Sequence, residues 1–268
     1  MQVEESQKVS GSLDAIQHVD LHIVHNLKIT ESTKQFVLQA PFTRLTILGL
    51  VLYASEHLQS GTSLLDVGAG DCPYKNFFAH VTYKSTDFGQ TGHTYSDIDY
   101  FCLANDIPVD AKSFDAILCT EVLEHVPNPQ EVLAEFNRVL KNGGQLFATV
   151  PFVYPMHEAP YDFYRYTPYA LHQLLQAAGF DVIFVTPRGG WIASIVHTFR
   201  RWDIPLRPQK NVKRLFIYCL VFLPIFAWLM LAVRVVPVRV LAWLDKVLDT
   251  EQTYTAGYAF HARKIRDA

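Results

Sequence analysis

The stretch Leu64-Leu65-Asp66-Val67-Gly68-Ala69-Gly70-Asp71 constrains the fold of this 268-residue chain more than any other eight residues. Leu64 to Val67 reads as a buried parallel strand, a short apolar run interrupted by one acid. Two glycines follow at once, where a turn lets another molecule approach the backbone closely. Strand, glycine turn, then helix is the plan of a nucleotide-type cofactor site at the carboxyl edge of an α/β sheet. A dinucleotide fingerprint needs a third glycine, as G-x-G-x-x-G. Here Asp71, Cys72 and Pro73 follow Gly70 instead. A carboxylate at the strand end, Asp66, would also repel a pyrophosphate. It suits a cofactor with positive charge, such as the sulfonium and amine of S-adenosylmethionine.

Val81 to Thr86 is the next expected strand and ends at Asp87. An acid about 20 residues past the first strand's end, closing the second strand, is positioned to accept hydrogen bonds from ribose hydroxyls. Further on, Ala116-Ile117-Leu118-Cys119 reads as a buried strand, followed by a helix from about Pro129 to Leu140 and another strand, Gln145 to Val150. The blocks around these elements are LDVGAG, SFDAILCTEVLEHVPNP and EFNRVLKNGGQLFATVP.

This array resembles the class I S-adenosylmethionine-dependent methyltransferases over roughly Ser63 to Asp181, plus a terminal strand. The resemblance implies a Rossmann-like α/β fold: a seven-stranded, mostly parallel sheet with helices on both faces. It implies that Asp66, Gly68 and Gly70 line the methionine and ribose side of the cofactor and that Asp87 binds the ribose. Ala104, Asn105 and Asp106 would lie along the adenine, mainly through backbone groups. The acid usual just before that stretch is replaced by Leu103. Thr120 and Glu121 would face the methyl donor or the acceptor. Glu124 and His125 follow in the same loop, and read equally as a helix cap and a surface histidine.

The loop from Val150 to Thr167 is densest in chemistry, with His157, Asp162, Arg165 and four tyrosines. It follows a strand, on the edge where open α/β sheets bind ligands. A histidine there can take a proton from a hydroxyl, oriented by a nearby carboxylate. Arg165 suits a carboxylate or phosphate of the acceptor. The competing reading is an aromatic lid in which Asp162 and Arg165 pair with each other. The loop also resembles that of methyltransferases from cell-surface glycan and glycolipid pathways, which favours His157 as base. Thr167 and Pro168 open a helix as N-cap and N1, Gly179 stops it, and Phe180 to Thr186 is the sixth strand.

The seventh strand is expected at Tyr254 to Arg263, after an insertion unusual for such a sheet. Arg200, Arg201, Arg207, Lys210, Lys213 and Arg214 form a basic cluster, and the run from Leu215 to Val233 carries no charge at all. That length meets a membrane span. Both ends must return to one sheet, however, and Pro224 and Pro237 interrupt the helices. A re-entrant hairpin or helices in the interface plane fit these limits, with the basic residues on anionic headgroups. A soluble helical lid and a homodimer surface are the open alternatives.

A net charge of −3 gives no global pointer to nucleic acid. The four cysteines make no C-x-x-C pair and the stretch from Met1 to Asp20 holds no apolar signal core, so a cytoplasmic protein is expected, peripheral or monotopic at the membrane. His18, His22 and His25 share one helix face without the partners that complete a zinc site, so no metal is expected. Thr30 to His57 reads as helices broken near Pro41.

The expected organisation is a helical cap (1–60), a methyltransferase core (61–188), a hydrophobic helical insertion (189–252) and the last strand (253–268). The expected activity is methyl transfer from S-adenosylmethionine to a hydroxyl of an amphiphilic or lipid-linked acceptor. Catalysis would rest on His157, Asp162, Arg165 and Glu121. A soluble small-molecule methyltransferase and a non-catalytic cofactor-binding scaffold are the alternatives.

Overall fold

The computed structural model describes residues 42–89, 97–191, 194 and 254–268. Most of the expected insertion, from 195 to 252, and the histidines at 18, 22 and 25 lie outside the described residues. The chain divides into two compact units; one holds the sheet, and the other holds 153–155 and 189–256.

The sheet unit alternates strand and helix. Helix α1 (Phe42–His57) begins immediately after Pro41, and β1 (Ser63–Val67), β2 (Thr82–Asp87) and β3 (Tyr100–Phe101) follow. Next come β4 (Phe114–Thr120), α2 (Pro129–Val139), β5 (Leu140–Pro151), α3 (Pro168–Ala177), β6 (Phe180–Pro187) and β7 (Gly257–Lys264). The strand order is β3-β2-β1-β4-β5-β7-β6, with β7 antiparallel to both neighbours and all other pairs parallel. The order reverses between β1 and β4, and that is where an open α/β sheet leaves a ligand crevice.

Period-two alternation explains why both faces are covered. Leu65 and Val67 of β1, Ile117 and Cys119 of β4 and Leu146 and Ala148 of β5 enter one core with Val132, Leu133 and Phe136 of α2 and Leu171 and Leu175 of α3. Leu64, Ala116, Leu118 and Phe147 point the other way, onto Ile47, Leu50, Val51 and Ala54 of α1. Successive side chains of a strand leave on opposite faces, so doubly buried strands read as continuous apolar runs.

Several boundaries differ from the sequence reading, most of all in the seventh and fifth strands, and one strand is additional to it. The seventh strand starts at Gly257, three residues later than expected, and runs to Lys264. The fifth begins at Leu140, because Phe114 pairs with Leu140 and Ala116 with Gln145, so the Lys-Asn-Gly-Gly block bulges within the strand. The two-residue β3 has too short an apolar pattern to be placed from sequence. Thr167 does cap α3, its side chain accepting from the Ala170 amide.

One polar group lies within the α1 core. His261 stacks on Phe147 with ring centroids 4.4 Å apart. Its Nε2 lies 3.0 Å from Gln145 Oε1, and its Nδ1 lies 3.2 Å from the Tyr53 hydroxyl. A neutral ring satisfies both, with Nε2–H donating to the amide oxygen and Nδ1 accepting from the tyrosine. Burial lowers the His261 pKa to about 4, with His57 adding to the effect. The folded value lies below the unfolded one, near 6.5, so this stability is complete above that pH. It drains as pH falls towards 4, by up to about 3 kcal/mol. Buried Asp66, pushed up to about 7, works in the opposite sense over the same window. The contrast is therefore between variants: His261→Phe keeps the stack and is expected to lose this acid-side slope in denaturant titrations from pH 6.5 to 4.

Candidate active site

Three loops at the carboxyl ends of adjacent strands β1, β4 and β5 build the site. In the first, the amides of Gly68 and Ala69 donate to the Thr86 carbonyl, at 2.8 and 3.0 Å, closing the turn over the end of β2. Gly68 has φ +72°, and a Cβ there would meet Val122 Cγ2 at 2.2 Å. Gly70 has φ +54° with nothing within 4 Å of an added Cβ. Gly68 is thus required by the neighbouring loop, and Gly70 faces open space.

Asp87 supports this turn from β2. One carboxylate oxygen accepts from the Gly70 amide and the other from the Gly89 amide, each at 2.9 Å. Two oxygens carry about four lone-pair positions, so acceptor capacity remains for hydroxyls. Asp66 lies deeper than the sequence suggested. It is buried and accepts from the Tyr83 hydroxyl. Burial, aided by Asp87, pushes its pKa up to about 7 against the Tyr83 hydrogen bond. A positive charge placed at the turn would favour its ionised form. Arg44 of α1 clamps the turn by a two-point contact with Asp71, at 2.6 and 3.1 Å. Ala104, Asn105 and Asp106 form a turn after β3, and the Asn105 amide nitrogen donates to Glu131.

The second loop follows β4. Thr120 pairs with Thr149 as the last residue of β4. Glu121 then has φ +57°, rare for a side chain of that size. Its carboxylate accepts from Arg188 Nη2 at 2.8 Å, and the same nitrogen donates to the Val150 carbonyl. Arg188, at the end of β6, is buried and was not singled out from sequence; a lone arginine after a strand carries no pattern. Glu124 sits in the 3-10 turn Leu123–His125, and its side chain is 0% exposed. It is therefore neither a helix cap nor a solvated acid. His125, read as a surface histidine, is mostly covered: its Nδ1 lies 2.6 Å from the Tyr161 carbonyl.

The third loop follows β5 and locks onto the second. The amides of Phe163 and Tyr164 both donate to the Glu124 carbonyl, and the Tyr166 hydroxyl donates to that of Leu123. Asp162 is the organiser. It accepts the His157 amide at 2.9 Å and both Nη atoms of Arg165, at 2.6 and 2.8 Å, and one of its oxygens lies 3.4 Å from His157 Nδ1. Arg165 holds Asp162 well below the usual carboxylate range. Of the two uses the sequence left open for Arg165, the structure shows the pair with Asp162. Burial, followed by the nearby His125, lowers the pKa of His157, which keeps the ring neutral near pH 7. The two imidazoles meet edge to face with centroids 4.6 Å apart.

The family model described as "Methyltransferase domain" matches residues 42–185, more than half of the chain. The chain belongs to the methyltransferase-domain family.

Among curated relatives, the ubiquinone biosynthesis O-methyltransferase of Pseudomonas entomophila (strain L48) is 32% identical over 89 residues, covering 33% of this chain and 35% of the relative. The protein of the same name from Dechloromonas aromatica (strain RCB) is 45% identical over 53 residues, covering 20% and 22%. The likeness thus spans about a third or less of the length of these relatives. Phosphoethanolamine N-methyltransferase 2 of Haemonchus contortus, solved with S-adenosyl-L-methionine, aligns with a TM-score of 0.50 at 14% identity, over 83% of this chain and 53% of that one. That likeness shows the fold. The residues of this methyltransferase domain fit S-adenosylmethionine: a glycine turn open at Gly70, a carboxylate at Asp87 with acceptor capacity to spare, and a buried acid at Asp66. No helix among the described residues is long and apolar enough to cross a membrane.

Proposed function

We propose that the protein transfers the methyl group of S-adenosylmethionine to a hydroxyl oxygen of an amphiphilic or lipid-linked acceptor. The observation that carries this reading is His157, held beside Asp162 on the loop after β5 and kept neutral by burial. A neutral imidazole offers a lone pair on which activation of a hydroxyl can depend. An amine acceptor needs less, since it arrives with a lone pair of its own once neutral.

S-adenosylmethionine, when bound, supplies an electrophilic methyl group on a sulfonium. The chain supplies alignment and a shielded site. The turn after β1 and Asp87 fix the donor; the loop after β5 brings the acceptor oxygen to it. Alignment of two bound reactants accounts for most of the barrier reduction in such displacements. Asp162 sets the His157 loop, and Arg165 fixes Asp162. Glu121, held by Arg188, and Thr120 at the end of β4 would orient the reacting groups in this reading.

Two features support an oxygen on an amphiphile. The relatives in ubiquinone biosynthesis are named O-methyltransferases. The acceptor loop also exposes Met156 at 78%, along with Tyr161, Phe163 and Tyr164, an apolar surface that water does not favour. The test incubates the purified chain with methyl-labelled S-adenosylmethionine and either a lipid extract or an aqueous extract of cells. Label is expected in the organic phase as a methyl ether stable to base. Label confined to water-soluble amines would defeat the reading.

A further inference from the structure

A second chemistry is concentrated where the two loops meet. The Glu124 carboxylate is fully buried, and neither oxygen accepts a hydrogen bond among the described residues. Burying an ionised carboxylate without partners is costly, so such groups are paired, protonated or bound to a cation. Glu121, Arg188 and Arg165 act on it electrostatically, and two imidazoles lie within reach as fellow ligands. Glu124 Oε1 lies 3.6 Å from His125 Nε2, and one ligand atom each from Glu124, His125 and His157 lies within 4.8 Å of the others.

The orientation of His125 is the telling detail. Its Nδ1 is 2.6 Å from the Tyr161 carbonyl, which only accepts, so Nδ1 carries a proton. In the neutral ring, Nε2 is then a bare lone pair. That lone pair faces Glu124 Oε1, and at 3.8 Å it also faces Glu158 Oε2. Acceptors turned towards one another are reconciled by a proton or by a cation between them, and burial, followed by Glu121, drives Glu124 to take up one of the two. A histidine whose other nitrogen donates to a backbone carbonyl is also the usual orientation of a metal ligand.

We infer that Glu124, His125 and His157 form a site for one divalent transition-metal cation of the zinc class, placed to hold and polarise the acceptor oxygen. Two imidazoles and a carboxylate suit zinc and its neighbours better than magnesium or calcium. Bonds of about 2.0–2.2 Å in a tetrahedral site put ligand atoms roughly 3.3–3.5 Å apart. The three groups therefore need to close by only about an ångström. Three protein ligands leave a coordination position open, which is the arrangement of catalytic sites. The inference rests on the methyl-transfer reading and deepens it. His157 serves the hydroxyl through the cation, while Asp162 and the hydrogen bonds to the Leu123 and Glu124 carbonyls hold the two loops in register.

The test uses the full chain, stripped with a chelator, freed of it, and titrated with cobalt(II) by visible absorption and with zinc(II) by calorimetry. Saturable binding of one equivalent at this site is expected. Glu124→Gln, His125→Ala and His157→Ala should each weaken it by at least about tenfold, since even outer partners of metal ligands are worth roughly 10–100-fold. A chain with His18, His22 and His25 all changed to Ala should bind as the parent does. Unchanged affinity for S-adenosylmethionine shows that the variants are folded. No saturable cobalt or zinc binding by the parent, or equal binding by the three ligand variants, would overturn the site. Methyl transfer that persists in chelator would remove the cation from catalysis yet leave the transfer reading intact. Cation binding without methyl transfer to any acceptor class would do the reverse.

Discussion

His157→Ala is expected to lower turnover by about 10²–10⁴-fold while leaving affinity for S-adenosylmethionine nearly unchanged. The separation follows from where the groups sit. In the proposed arrangement the donor is held by the turn after β1 and by Asp87 at the end of β2. The imidazole belongs to the loop after β5. That loop does not depend on the imidazole for its position. Asp162 grips the His157 amide and the Arg165 guanidinium, and the Phe163 and Tyr164 amides bind the Glu124 carbonyl. All of these bonds survive the change to alanine. Steady-state kinetics beside calorimetry of cofactor binding measures both quantities. A parallel fall of stability, cofactor affinity and turnover would mean that the ring is packing for a lid. An unchanged rate would remove His157 from the mechanism.

The legible parts of the sequence were those in which one residue type answers one local demand. A four-residue apolar run with glycines at its end left little freedom, so β1 and its turn were placed to within a residue. Thr167 and Pro168 specify a helix start by a hydrogen bond and a fixed φ, and both act as expected. Asp87 was found through its distance from Asp66, because the βαβ crossover fixes how far along the chain the next strand ends. What stayed hidden depends on distant partners. Arg188 matters because it meets Glu121 across β7 and β5, and no spacing announces that. Glu124 read as well as a helix cap as a functional acid, since no local pattern shows that its carboxylate is fully buried or that a loop far along the chain bonds its carbonyl through Phe163 and Tyr164. For Arg165 the sequence left two uses open, a ligand or a pair with Asp162, because charge alone does not choose between them; the bonds to Asp162 do. The edge strand β3 is only two residues long, too short for any periodic signal.

Gly68→Ala is expected to cost about 2–5 kcal/mol of stability, far more than an alanine usually does. Two terms add. A side chain at φ +72° costs roughly 1–2 kcal/mol. A Cβ at 2.2 Å from Val122 Cγ2 forces a rearrangement worth about 1–3 kcal/mol more. The terms can be separated, because only the second involves Val122. In Val122→Ala the methyl is gone, and the nearest remaining atom, Val122 Cβ, would stand 3.5 Å away, at ordinary contact. Denaturant unfolding of the parent, both single variants and the double variant should therefore show a coupling on the order of 1–3 kcal/mol. The backbone cost should remain in the double variant. Gly70→Ala supplies the contrast. Its φ of +54° carries the backbone cost, but nothing stands within 4 Å to collide, so stability should fall by only about 1–2 kcal/mol. The new methyl would instead project into the space assigned to the cofactor, and affinity for S-adenosylmethionine should fall with it. Full affinity in Gly70→Ala would show that the donor does not approach that side of the turn. Additivity of Gly68→Ala and Val122→Ala would show that the two loops are not held in contact where the site requires them to meet.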